Sequence, residues 1–245
     1  MKLTLLGTSH GVPSEIRYES CYMLEVEEQI YLFDGGAPVV DLLLRNVKDL
    51  TRVKAFFNTH FHGDHITGAL NMLSLFEWFY KDTDLDVYLP DEGSKQAVVA
   101  YLAAVDEVQL PSERVRMQVY GEGLIYEDGV IRVTAIPVNH CLKPGKKSFA
   151  FLIEAEGKRI LYTGDMSASL ADFPQIAYEC ELDMILSEAA HCSAQDLMNC
   201  MDRVNTSVFA VTHIWPLSKI NELEQASARY PFPIHIARDG DVFIL

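Results

Sequence analysis

Residues 60 to 65 read HFHGDH, which places three imidazoles and a carboxylate in six positions of a chain with only eight histidines in 245 residues. Imidazole and carboxylate together suit zinc, manganese or iron, whereas a structural zinc site more often uses cysteine. His60 and His62 are two apart, so on extended chain they project to the same side and can share one cation. Gly63 allows a sharp bend after them. Asp64 and His65 then lie at the start of the following helix and point elsewhere, towards a second cation. The plainer alternative is that Asp64 only caps that helix.

Partners for this cluster must come from elsewhere in the chain. The runs AFFNTH, RILYTGD and VFAVTH each read as a buried strand, then Thr, then a potential ligand, and AIPVNH adds a fourth ending at His140. Neighbouring buried strands end on one rim of a sheet, so His60, Asp165 and His213 are expected together despite their separation. Cysteine is not part of this pattern. Cys21, Cys141, Cys180, Cys192 and Cys200 are odd in number and form no CxxC pair, which argues against a disulfide framework or zinc knuckle. They read as reduced thiols of a cytoplasmic protein. Cys141 and Cys192 each follow a histidine of interest, but small core residues of this kind are common.

The elements that position these residues are legible from periodicity and turn residues. Strands are predicted at KLTLLGT, SCYMLEV and QIYLFDGG, a helix at APVVDLLLRN, a buried strand at VKAFFNTH and a helix at ITGALNMLSLFEWFYKD. A short strand DVYLP and a helix EGSKQAVVAYLAAV follow. Residues 115–140 are strand-rich with a hairpin turn at YEDG, and FAFLIEA-EGK-RILYTGD forms a second hairpin. Then come strand DMILSEA, helix SAQDLMNCMDRV, strand SVFAVTH, a helix near SKINELEQASARY and a final strand pair. Strands open each half and strand–helix alternation follows, which predicts two mixed sheets packed face to face with helices outside, as one domain over residues 1–245.

Composition narrows the function. Apolar residues at 49% and charged residues at 22% are ordinary for a soluble globular protein. A net charge of −15 repels polyanions and disfavours extended nucleic acid as a partner. The N-terminus lacks a signal-peptide core, and nothing approaches the roughly 20 apolar residues of a membrane span.

THFHGDH, with LLGTSHGVP, LFDGG, TGD, SEAAHCS, VTH and RDGDVFIL, resembles the metallo-β-lactamase-fold hydrolases, and within them the ribonuclease Z-like phosphodiesterase branch. The likeness covers essentially the whole chain. It implies an α+β fold, a four-layer αββα sandwich of two mixed β-sheets flanked by helices. It also implies two divalent metal ions, zinc first, with manganese or iron as alternatives. On that resemblance His60, His62 and His140 hold one ion, Asp64, His65 and His213 hold the other, and Asp165 bridges them. Asp34 matches a position beside the site, either as an acceptor that fixes a ligand imidazole or as the residue closing a turn before Gly35 and Gly36.

The chemistry implied is hydrolysis. Two dications and their anionic ligands leave a centre near about +1, which draws in phosphate although the chain is acidic, and they lower the pKa of bound water to about 7. Asp64 would orient the nucleophile or take its proton. His191 would protonate the departing alkoxide and Glu188 would hold it; alternatively His191 only precedes a helix capped by Ser193. His10, in a Gly-rich loop, could edge the site, and His235 reads as structural.

Ribonuclease Z carries a long tRNA-gripping arm between the positions of His140 and Asp165. Here only 24 residues separate them, so tRNA 3′ processing is disfavoured against a small phosphodiester or cyclic nucleotide. KPGKK in this stretch could neutralise a phosphate or mark an exposed turn. A lactonase or thioester hydrolase of the same fold is the main alternative. A diiron oxidoreductase typically has Glu where His62 stands, and non-enzymatic relatives commonly lose ligands. Homodimers are common among such relatives.

Overall fold

Side chains along the central strands alternate between two apolar layers instead of between core and solvent. In β4 (Val53–Phe57), Ala55 and Phe57 enter one buried cluster while Val53 and Phe56 enter another. A strand buried on both faces needs a sheet on one side and helices on the other, and the computed structural model, which describes residues 1–106 and 112–245, has that layering.

The first sheet contains β1 (Lys2–Gly7), β2 (Cys21–Val26), β3 (Gln29–Gly35), β4, β5 (Leu85–Leu89), β6 (Val115–Val119) and β14 (Val242–Ile244), in the order β14-β1-β2-β3-β4-β5-β6. The second contains β7 (Gly123–Glu127), β8 (Ile131–Val138), β9 (Ser148–Ala155), β10 (Lys158–Tyr162), β11 (Met184–Ala189), β12 (Phe209–Ile214) and β13 (Ile234–Ile236), in the order β13-β12-β11-β10-β9-β8-β7. Both sheets are mixed. Helices α1 (Val39–Asn46), α2 (Gly63–Trp78) and α3 (Glu92–Asp106) cover the first sheet, and α4 (Ile176–Glu179), α5 (Ala194–Met201) and α6 (Lys219–Ala226) cover the second. This is the αββα sandwich expected from the sequence.

An aromatic core lies between the sheets. Phe57 stacks on Phe33 and Tyr88 at centroid distances of 5.1 and 5.0 Å and meets Tyr126 edge-on at 5.3 Å. Such offset and edge contacts add about 0.5–1.5 kcal/mol per pair beyond area burial. The predicted hairpins form, with Gly129 at φ +88° after Asp128, whose carboxylate accepts from the amides of Val130 and Ile131.

Two expectations change. The final two strands do not pair with each other: β13 runs parallel to β12 in the second sheet, while β14 is antiparallel to β1 in the first. The turn between them, residues 237–241, crosses the sandwich, with hydrogen bonds from Leu5 to Asp241 and from Gly240 to Leu5. Alternating hydrophobicity marks a strand but not its sheet, so the sequence does not separate these cases. Gly63 also lies outside the left-handed region, and the chain turns into α2 through the extended backbone of His62. Among the described residues no helix is long and apolar enough to cross a membrane.

The glycines that matter for the site lie in LFDGG and in α2. A Cβ on Gly36 would collide with the carbonyl of Asp64, and one on Gly68 with the carbonyl of Gly36. Helix α2 therefore rests directly on the turn after β3, which fixes where Asp64 and His65 project. Gly68→Ala should lower the unfolding free energy by about 1–3 kcal/mol through overpacking, although alanine is the better helix former. Urea denaturation measures this, and an unchanged midpoint would show that the contact can relax.

Candidate metal centre

At one end of the inter-sheet core, loops after β4, β8, β10 and β11 meet the bulged end of β12. His60 and His62 follow β4, Asp64 and His65 open α2, His140 follows β8, Asp165 follows β10, and His213 lies in β12. The sequence reading put His60, Asp165 and His213 on the rim of one sheet. Instead they come from both sheets, which end at the same edge because they are stacked face to face.

Four groups result, each with donor atoms within 4.8 Å of one another: His60, His62 and His140; His60, His65 and Asp165; Asp64, His65 and His213; and His140, Asp165 and His191. Asp165 Oδ2 stands 3.4 to 3.7 Å from His213, His65, His60 and His140 Nε2, between the first and third groups. His60, His65, Asp165 and His213 are buried, while His62 and His191 are open to solvent.

Two of these residues reach the centre through backbone irregularities. Asp34 and His213 are the extra residues at β-bulges, opposite Cys21/Tyr22 and Glu188/Ala189, and both have positive φ, 56° and 49°. Strict alternation would send Asp34 with Ile30 and Leu32, and His213 with Phe209 and Val211, into the helix layers. The bulges turn them to the site, and such left-handed residues cost about 1–3 kcal/mol each.

The orientation of each imidazole follows from its other nitrogen. Asp34 is fully buried, and its oxygens accept from Asn58 Nδ2 (3.0 Å), Thr59 N (2.7 Å), Thr59 Oγ1 (2.8 Å), His65 Nδ1 (2.7 Å) and Tyr162 OH (2.6 Å). Because the Thr59 hydroxyl donates to Asp34, its oxygen accepts from His60 Nδ1 at 3.0 Å. His60 Nε2 is left with a bare lone pair. His213 Nδ1 bonds Ser20 Oγ at 3.0 Å, which turns Nε2 inward. Asn58, Thr59, Tyr162 and Ser20 were not singled out from sequence. Thr59 and Tyr162 sit beside ligand-like residues in NTH and LYTGD, whereas nothing marks Ser20 or Asn58.

These donors fit a cation. His65 Nε2 is buried with no hydrogen-bond partner among the described residues. His62 Nδ1 faces His60 Nε2 at 3.1 Å and His140 Nε2 at 3.0 Å, an arrangement that proton sharing between neutral rings cannot satisfy. Burial, then the charge of His65, hold His60 well below its usual pKa, so the ring is neutral. Burial would also depress His65, but Asp165 and Asp34 outweigh it and hold it well above, so this nitrogen favours a positive neighbour. Asp165, despite burial, is held well below the usual carboxylate range by His213 and His65.

His191 faces the same space. Its Nδ1 bonds Glu188 Oε1 at 3.1 Å, and the buried Glu188 carboxylate also accepts from the amides of Met166, Ala190 and His191. Although His191 lies within reach of His140 and Asp165, this bond occupies its Nδ1. Ser193, accepting from the amide of Asp196, caps α5 just after His191, as the sequence suggests. Burial disfavours the charged ring, yet the hydrogen bond and charge of Glu188 raise the His191 pKa.

His10, Gly11, His62, Asp64, Asp165, Ala190, His191, His213 and Trp215 line a cavity of about 310 Å³, with His10 packed on Trp215 at 4.4 Å. A second cavity of about 420 Å³ shares His62 with the first and is lined also by His140, Phe61, Cys141, Leu142, Lys143 and Lys146. KPGKK thus borders the centre. His235 instead bonds Asp241 at 2.7 Å. All five cysteines are free; Cys192 is buried and Cys141 half-buried.

Residues 1–215 match the family model described as anti-Pycsar protein Apyc1. The chain belongs to this family. It is also 31% identical over 161 residues to ribonuclease Z of Shouchella clausii, covering 64% of this chain and 49% of that protein; the chain spans about half the length of the curated relatives it matches. Its structure resembles the metallo-β-lactamase-fold protein YhfI of Bacillus subtilis, at TM-score 0.79 and 18% identity over 99% of this chain and 98% of that one. Human tRNase Z, short form, gives TM-score 0.77 and 20% identity over 100% and 99%. The chain has the fold of these metallo-β-lactamase-fold structures and is similar in sequence to ribonuclease Z.

Removing the Asp34 carboxylate frees the His65 ring. Asp34→Ala is expected to weaken metal affinity about 10–100-fold, read by titration against a competing chelator. Wild-type affinity in that variant would show that packing alone fixes His65.

Proposed function

We propose that residues 1–245 form one metal-dependent phosphodiesterase unit acting on a small phosphodiester, a cyclic nucleotide being the best fit. The observation that carries this is the His191–Glu188 pair, which presents a proton donor to the same cavity as the histidine–aspartate cluster. Ester hydrolysis with a poor alkoxide leaving group needs such a donor.

In this reading His60, His62 and His140 hold one divalent ion, Asp64, His65 and His213 a second, and Asp165 lies between them. Zinc suits the set best, with manganese or iron acceptable. Such ions supply water of lowered pKa and neutralise phosphate charge. Asp64, despite its burial, is held well below the usual carboxylate range by His65 and His213. It remains a carboxylate that orients the attacking water as a hydrogen-bond acceptor, while the proton of that water, acidified by such ions, passes to solvent. A water oxygen–phosphorus bond forms, the ester P–O bond breaks, and His191 gives its proton to the departing oxygen. Glu188 keeps the His191 ring turned to that position.

Three features favour a small substrate. Between His140 and Asp165 the chain makes only a loop and the hairpin β9–β10, so no arm extends from it. The chain's −15 charge opposes extended nucleic acid. The cavity beside His62 and His140 has an aromatic wall at Phe61, with Lys146 Nζ 5.5 Å above the ring. That combination suits a nucleoside joined to a phosphate.

Metal-loaded protein should cleave 2′,3′- or 3′,5′-cyclic nucleotides and bis(p-nitrophenyl) phosphate, and chelation should abolish both activities. Lactone hydrolysis without diester cleavage would replace this reading, and efficient pre-tRNA cleavage would remove its small-substrate part. His191→Ala should slow cyclic-nucleotide cleavage about 10²–10⁴-fold with metal content unchanged. The p-nitrophenyl diester should lose far less rate, because p-nitrophenolate departs without a proton. Equal losses on both substrates would place His191 outside proton donation.

A further inference from the structure

Lys219, the first residue of α6, is buried, with a relative exposure of 9%. Its ammonium donates to the main-chain oxygens of Ala189 at 2.7 Å, Ala190 at 3.1 Å and Cys192. Three ammonium protons meet three carbonyls, so the group is fully used. All three partners belong to the segment that carries His191. On its other side the same segment is held by Glu188, whose carboxylate accepts from the amides of Ala190 and His191.

The lysine is costly where it stands. Burying an ammonium is unfavourable unless hydrogen bonds compensate, and a cation in the first turn of a helix opposes the helix dipole. The other buried residues of α6, Leu223 and Ala226, show that apolar side chains fill this interface. Packing alone does not call for a lysine here. A carboxylate fixing the amides and an ammonium fixing the carbonyls leave residues 189–192 little freedom to rotate their peptide planes. The His191 imidazole depends on that backbone for its place.

We propose that Lys219 is a positioning residue for His191, acting as the cationic half of a two-sided clamp on residues 189–192. The proposal rests on the proton-donor role of His191 given above. Lys219→Met keeps the aliphatic stem and removes all three donors. It is expected to lower kcat on a cyclic nucleotide about 10–100-fold, with KM within about twofold and metal content unchanged. Amide hydrogen exchange at Ala190 and His191 should accelerate. Added to His191→Ala, the substitution should cost nothing further, because its effect passes through that imidazole.

Unchanged kcat and unchanged exchange in Lys219→Met would overturn the clamp while leaving His191 as proton donor. The same loss in the His191→Ala background would show that Lys219 acts elsewhere, and also overturn it. A fully active His191→Ala overturns the proton-donor reading, which is a separate result. Should Lys219→Met fail to fold, the wild-type protein decides: carbonyl-bonded ammonium protons give a slowly exchanging ¹H–¹⁵N signal at neutral pH, and its absence sinks the arrangement.

Discussion

The buried Asp34 carboxylate is the joint on which the rest of the centre depends. It sits at the end of β3 and accepts five hydrogen bonds, from the loop after β4, from α2 and from Tyr162 of the opposite sheet. A buried carboxylate with fewer partners would be a liability of several kcal/mol. With five donors it ties three elements of one half to a strand of the other. Burial and the Asp34 charge hold Tyr162 well above its usual pKa, so the phenol remains a donor. The same oxygen that accepts from Tyr162 accepts from His65 Nδ1, and Asp34 sets the His60 tautomer through Thr59. The link between the sheets and the orientation of two imidazoles is therefore one hydrogen-bond network.

Most of the architecture was legible because it follows from periodicity. Runs such as VKAFF and FAFLIEA, short, apolar and bounded by turn residues, read as strands largely covered on both faces, and two sheets with helices outside follow from that. HFHGDH was legible because its residue types are uncommon and closely spaced. The routes by which Asp34 and His213 arrive were not. Each lies on the wrong side of its strand by strict alternation, and each is corrected by a bulge with positive φ. Aspartate and histidine both visit the left-handed region more often than most residues, but neither residue type marks where a bulge will fall.

Lys219 shows a second limit of sequence reading. Lysine in SKINELEQA reads as a surface residue of an amphipathic helix, and its periodicity fits that view. Its burial comes from three backbone carbonyls some 30 residues upstream, and a carbonyl's direction leaves no trace in residue type. Glu188 was more visible, because the segment SEAAHCS carries the family resemblance. Its partners in the structure are three amides and one imidazole.

Charge placement would reconcile an acidic chain with the anionic substrate proposed for it. Asp34, Asp64, Asp165 and Glu188 converge where the imidazoles of His60, His62, His65, His140 and His213 are crowded together, and burial alone would make such a set repulsive. His65 combines an elevated proton affinity with an Nε2 that has no hydrogen-bond partner among the described residues, so this buried position favours positive charge. Lys143 and Lys146 stand on the rim nearby, one side chain already engaged with Asp91 at 3.3 Å. Attraction for the phosphate of the proposed substrate would thus be confined to one cleft and need not extend over the surface. On the proposed reading, a long polyanion would meet the acidic remainder of the molecule, whereas a compact diester would meet only the cleft, so the charge distribution would select for size.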